Sequence, residues 1–143
     1  MVRVVAMIAV LFGLMPAMGH AQQPAVGELT FADRVAIRQV VSAQLTALQK
    51  DDAPLAFSYA SPAIQQQFGT PENFLHMVKA AYPTVYRPRD VQFRDIEPTE
   101  NGPVQKVFFF APDGEPELGL YYMEKEADGD WKINGCQLTS APD

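Results

Sequence analysis

From Thr30 onward the apolar residues follow a helical period. Ile37, Val40, Val41, Leu45 and Leu48 recur at three- and four-residue spacing, while Arg34, Arg38, Gln39, Ser42 and Gln49 fall on the opposite side. This spacing predicts a long amphipathic helix laid on an apolar partner. Thr30 followed three residues later by Asp33 makes a capping-box pattern at its start, with Asp in place of Glu. Lys50 suits the negative end of the helix. Between Asp51 and Tyr82 the chain restarts helices in quick succession. Asp51 or Asp52 can cap a short helix carrying Leu55 and Tyr59. Ser61-Pro62 and Thr70-Pro71 each pair a capping hydroxyl with a proline suited to the first helical position. Gly69 falls where the intervening helix should stop. The last helix, over about residues 71–82, places Phe74, Met77, Val78 and Ala81 on one face and Glu72, Asn73, His76 and Lys79 on the other, and Pro83 ends it.

After Pro88 the pattern changes to short segments rich in β-formers. Four strands are predicted, at about residues 90–97, 103–111, 117–126 and 130–139. They are separated by Glu100-Asn101-Gly102, Pro112-Asp113-Gly114 and Asp128-Gly129, which carry hairpin-turn chemistry. A meander is the simplest topology. Val107, Phe108, Phe109 and Phe110 are consecutive, so the second strand is apolar on both faces and is expected to be central, its second face covered by a helix, a pocket wall or another subunit. In the last strand Trp131 and Ile133 share a face, and a bulge at Asn134-Gly135 brings Cys136 and Leu138 onto it. Helices followed by a sheet define an α+β fold: one long amphipathic helix and two or three short ones packed on a curved four-stranded antiparallel sheet, cone-like in shape.

The first twenty-one residues break this pattern. Met1 and Arg3 lead into an apolar run from Val4 to Met15, followed by Pro16 and the small residues Gly19 and Ala21. This is the layout of a cleavable secretory signal, with cleavage expected after Ala21. The run is shorter than the roughly 20 residues of a membrane-spanning helix. Residues 1–21 are therefore expected to be removed, residues 22–29 to form a flexible lead, and residues 30–143 to form a single domain. The product is expected to be exported, soluble, not inserted in a membrane, and periplasmic in a cell with two membranes.

Composition narrows the chemistry. Without Arg3 the chain keeps ten basic against seventeen acidic residues, a net charge of −7, which argues against nucleic acid or anionic lipid as a partner. Cys136 is the sole cysteine, so no internal disulfide forms. It is expected to be buried and inert, with pairing to another chain as the alternative. His76 is the one histidine after the signal, so a His/Cys metal site is not expected. The alternative of a carboxylate-only site rests on Asp51-Asp52, the only adjacent acidic pair, which helix capping explains better, so no metal or cofactor is expected. No GxSxG, GxxxxGK[ST] or GxGxxG motif is present, and no catalytic residue is assigned. His76 lies on a polar helix face, whereas a general base belongs in a sheltered cavity with an orienting partner.

The best remaining site candidate is the connector from Tyr82 to Arg89. Tyr82, Tyr86, Arg87 and Arg89 place two phenols and two guanidinium groups on a proline-stiffened segment, able to grip a carboxylate or phosphate. The alternative is structural: the arginines pair with acidic neighbours while the tyrosines seal the helix–sheet seam. Tyr59 and Trp131 read as core.

The run Ala56-Phe57-Ser58-Tyr59-Ala60-Ser61-Pro62, then Phe68-Gly69-Thr70-Pro71-Glu72-Asn73-Phe74, Met77-Val78, Tyr82-Pro83, Val85-Tyr86-Arg87-Pro88 and finally Trp131-Lys132-Ile133-Asn134-Gly135-Cys136 resembles the bacterial domain of unknown function 4864. That resemblance implies no catalytic residues. In its element order the chain is more distantly similar to the nuclear-transport-factor-2-like superfamily of cystatin-like cones, although the hairpin that many members insert between the helices is missing. Enzymes, ligand carriers and dimeric adaptors share that scaffold, so the likeness does not choose a function. The leading expectation is a non-enzymatic exported module that binds a small molecule or a protein partner. The alternatives are a homodimeric assembly protein joined through the sheet and an acid–base enzyme with a cone pocket.

Overall fold

The capping pattern at Thr30 produces a reciprocal box. The Asp33 N–H donates to the Thr30 hydroxyl at 3.0 Å, and the Thr30 N–H donates to the Asp33 carboxylate at 3.1 Å. Helix α1 (Phe31–Gln49) follows. The structure is a computed structural model that describes residues 28–142; the expected signal and most of the lead lie outside them. Asp52, not Asp51, caps α2 (Ala53–Ser58). Ser61-Pro62 opens α3 (Pro62–Phe68), which Gly69 terminates at φ +78°. Thr70-Pro71 opens α4 (Pro71–Ala81). Pro83 ends α4 as expected but also starts a further turn, α5 (Pro83–Tyr86), because the missing N–H that stops one helix suits the first position of the next.

Four strands complete the chain: β1 (Asp90–Thr99), β2 (Gly102–Phe110), β3 (Pro116–Lys125) and β4 (Trp131–Ser140). They form an antiparallel meander in the order β1-β2-β3-β4. Gly102, Gly114 and Gly129 at its three turns all have positive φ, which glycine alone adopts without strain. The expected bulge lies in β4: Tyr122 pairs with Gly135 and Met123 with Ile133, leaving Asn134 unpaired. The extra residue changes the parity of the strand, so Cys136 and Leu138 join Trp131 and Ile133 on the side of the core.

The core is the seam between α1 and the sheet. Ile37, Val41, Leu45 and Leu48 of α1 meet Val107 and Phe109 of β2, Tyr121 and Met123 of β3, and Ile133 of β4. Gly119 leaves room for this packing, since a Cβ there would lie 2.5 Å from the Phe109 ring. A second bulge, between Phe93 and Ile96 of β1, frees backbone carbonyls that the buried Gln105 amide satisfies, donating to the Arg94 carbonyl at 2.8 Å. Trp131 is fixed by its indole N–H, which donates to Asp33 at 3.1 Å, and Lys125 pairs with the same carboxylate.

One expectation needs correction and another is narrowed. Ala81 is exposed and not part of the inner face of α4. Of the three covers expected for the outer face of β2, no helix among the described residues supplies one: Phe108 and Phe110 are half-buried, and the Arg94 guanidinium lies 4.7 Å from the Phe108 ring centre. No strand precedes β1 among the described residues. In the place of an inserted hairpin, the junction of α2 and α3 makes a single parallel bridge to β4. The Ile133 N–H donates to the Tyr59 carbonyl and the Ser61 N–H to the Ile133 carbonyl, both at 2.9 Å.

Candidate functional site

That bridge holds the start of α3 against β4, while α4 stands off the sheet to form the far wall of a cavity of about 200 Å³. Each wall follows from a local sequence cause. Gln44 and Leu48 face it from the end of α1, and Ile64 and Phe68 from α3. Phe74, Met77 and Val78 recur at helical spacing along α4, with Phe74 also packed on Phe57 and Phe68 at ring-centre distances of 5.6 and 5.8 Å. Val85 closes the end at α5, and Tyr121, Ile133 and Cys136 form the sheet side. Gln67 is the exposed member of the lining and marks the mouth. Among the described residues no charged side chain contributes to the lining.

Four polar side chains reach this largely apolar space from buried or half-buried positions. The Gln44 amide donates to the Ala56 carbonyl at 3.1 Å, and the Tyr82 hydroxyl donates to the Cys136 carbonyl at 3.2 Å. Among the described residues the Tyr121 hydroxyl has no oxygen or nitrogen partner, although the residue is only 1% exposed, and the Cys136 thiol is the one polar group beside it. Its cross-strand neighbour is Cys136, and a thiol is a weak acceptor. Burial raises both groups: the Tyr121 phenol is held well above its usual pKa, and the Cys136 thiol is pushed up to about 12. Cys136 as a residue is half-buried, but its thiol sits in the desolvated part of the cavity. Both groups therefore stay protonated at neutral pH.

The residues of the connector do not converge. Tyr82 lines the cavity. Tyr86 and Arg87 turn outward to Asp51 in the loop between α1 and α2: the Tyr86 hydroxyl donates to the Asp51 carboxylate, and Arg87 lies 3.3 Å from that carboxylate and 3.0 Å from the Tyr86 hydroxyl. Lys79 of α4 joins them at 3.3 Å. Arg89 stands at the β2–β3 turn, its N–H donating to the Phe110 carbonyl at 2.8 Å and its guanidinium beside Gly114. His76 is exposed. Among the described residues no group of three or more His, Cys, Asp and Glu side chains is placed to hold a metal ion.

The sequence reading missed Tyr121 and Gln44. Each is a polar residue at a position that periodicity buries: Gln44 lies among Val41, Leu45 and Leu48, and Tyr121 alternates with Gly119 and Met123. A buried tyrosine needs a partner for its hydroxyl, and this requirement is the signal that could have singled it out.

Helices stacked on a curled, open antiparallel sheet with a pocket between them place this chain among the α+β cones of the cystatin-like kind. A crystal structure from Nostoc punctiforme, of a protein of unknown function with a cystatin-like fold, matches with a TM-score of 0.56 at 14% identity, covering 80% of this chain and 96% of that one. The chain belongs to the family described as Domain of unknown function (DUF4864), whose model matches residues 30–143. Two further structures resemble it less. An NTF-2 like protein of unknown function from Burkholderia xenovorans has a TM-score of 0.48 at 15% identity, over 77% of this chain and 88% of that one. Aln2 from a Streptomyces species has a TM-score of 0.49 at 12% identity, over 78% and 93%. No curated protein matches the chain.

Proposed function

We propose that this domain is an exported, non-enzymatic module that holds a small molecule in the cavity between α1, α3, α4 and the sheet. The observation that carries the reading is a largely apolar cavity of about 200 Å³ with a few inward polar groups, the usual composition of a ligand site. The non-catalytic part is supported by the state of Tyr121 and Cys136. Burial holds both protonated, far from the near-neutral pKa that a general base requires. Export is supported by the layout of residues 1–21.

Native mass spectrometry of protein recovered from the exported fraction, without refolding, tests the reading. A mature chain beginning at Gln22 and carrying a small-molecule adduct is expected. Replacing Met77 by Trp, at the half-buried edge of α4, should remove the adduct while leaving the fold intact. A chain that retains Met1 would overturn export, and a bare monomer in every preparation would overturn the cavity assignment.

A second reading rests on a different face. Phe108, Phe110, Leu118 and Leu120 make an apolar strip on the outer side of the sheet, and Tyr122 beside them is 38% exposed. A bare dimer in the same spectrum would favour sheet-mediated assembly, since self-complementary apolar faces are how such pairs close.

A further inference from the structure

The Tyr121 hydroxyl makes the cavity more specific than its apolar walls suggest. It is buried, lines the cavity and has no oxygen or nitrogen partner among the described residues. The other inward donors have commitments, Gln44 donating to the Ala56 carbonyl and Tyr82 to the Cys136 carbonyl, while Gln67 stands exposed at the mouth. The Cys136 thiol can offer a weak S–H to a lone pair of the phenol, but it is a poor acceptor for the phenol O–H. The missing partner is therefore an acceptor.

Charge and size narrow the occupant further. The cavity lining contains no cationic side chain, and the nearby Lys79 and Arg87 are paired with Asp51 outside it. A carboxylate entering this space would lose its hydration against a single neutral donor and no counter-charge, a larger cost than a neutral acceptor meets. A dry cavity of about 150 Å³ is known to hold benzene, so about 200 Å³ accommodates one ring with two or three further heavy atoms.

We infer that the cavity selects a neutral, single-ring apolar molecule with one hydrogen-bond acceptor, of the aromatic ketone or aldehyde class, whose oxygen accepts the Tyr121 O–H. This rests on the reading of the cavity as the ligand site. It goes further by assigning the ligand's charge, size and polarity, and by making Tyr121 the residue that discriminates between ligands.

The test compares three probes on the full mature chain by chemical-shift titration at neutral pH: acetophenone, ethylbenzene and benzoate. Acetophenone is expected to bind about tenfold or more tightly than ethylbenzene, the cost of leaving one buried hydrogen bond unmade, and benzoate is not expected to bind. In Tyr121→Phe the preference should vanish, with acetophenone weakened to the level of ethylbenzene and ethylbenzene unchanged. Because the hydroxyl has no oxygen or nitrogen partner among the described residues, this variant should unfold in urea at the same concentration as the natural chain or a higher one. A lower midpoint would mean that the hydroxyl has a partner in the fold, which overturns the inference.

Equal affinities for the two neutral rings in the natural chain would overturn the acceptor assignment and leave the cavity reading standing, with a water satisfying the phenol. Tightest binding of benzoate would overturn neutrality. Failure of both neutral rings to bind would overturn the cavity reading itself.

Discussion

Tyr86 and Tyr121 lie on either side of the boundary between a solvated corner and a buried interior, and the fold treats their hydroxyls oppositely. At the corner, Tyr86, Arg87 and Lys79 all converge on Asp51, so each polar group has a partner. Asp51 itself sits at φ +55°, a conformation that most side chains avoid, and it brings the end of α1 to α4 and α5. Inside, Tyr121 is more deeply buried and has no oxygen or nitrogen partner among the described residues. The satisfied cluster is half-exposed, where ion pairs contribute little to stability. The unsatisfied hydroxyl is where an absent partner costs most. Electrostatic richness therefore does not mark the cavity in this molecule. The charged connector fastens helices, and the mostly apolar wall is the place that lacks something.

The largest expected effect in this comparison is on the cavity side. Phe74 is 6% exposed and packs on two other rings. Phe74→Ala is expected to destabilise the domain by about 3–5 kcal/mol, the usual cost of deleting a buried phenyl group, measured by urea unfolding. A loss below about 1 kcal/mol would mean that the wall collapses freely and that the cavity is not a fixed space.

The reactivity of Cys136 sharpens the same contrast without a mutation. A thiol pushed up to about 12 carries almost no thiolate at pH 7.5, and the thiolate is the reactive form. Maleimide should label the folded chain far more slowly than the urea-unfolded chain, in which the thiol returns to its ordinary value. Equal rates would place the thiol in solvent and remove it from the cavity floor.

Much of the fold was legible because its punctuation is local. Thr30 with Asp33, Ser61-Pro62, Thr70-Pro71, Gly69 and the three glycine turns each act within a few residues, and the structure uses all of them. Even the bulge at Asn134-Gly135 could be anticipated, because Cys136 and Leu138 needed a parity change to reach the core. Pro83 was ambiguous, since one residue serves both as stop and as start. The candidate site and the corner beside it were less legible because their parts meet across long separations. Tyr86 reaches Asp51 across 35 residues and Tyr82 reaches Cys136 across 54. From sequence, Tyr82, Tyr86, Arg87 and Arg89 looked like one group; the geometry of the two helix ends divides them, leaving Tyr82 on the cavity wall and the others outside it.

The smallest expected effect is at the Asp51 corner, and its pH dependence identifies it. Hydrogen bonding from Tyr86, followed by Lys79 and the charge of Arg87, holds the Asp51 carboxyl below its usual value. A carboxyl lowered in the folded state contributes stability that is fully present above the unfolded value of about 4 and is lost as pH falls through the folded value. Asp51→Asn should therefore differ slightly from the natural chain in urea midpoint at pH 7, and just as slightly at pH 5. The difference should close only in more acidic solution. High salt should narrow it at neutral pH, because the corner is exposed and its charges are screened. A large, salt-independent loss at pH 7 would show instead that the hydrogen bonds accepted by the carboxylate, and not its charge, hold the helix ends together, because Asn adopts φ +55° as readily as Asp. Asp51→Ala, which removes the carboxylate and also strains φ +55°, should lose more than Asp51→Asn, and the gap between the two measures the share of the backbone conformation.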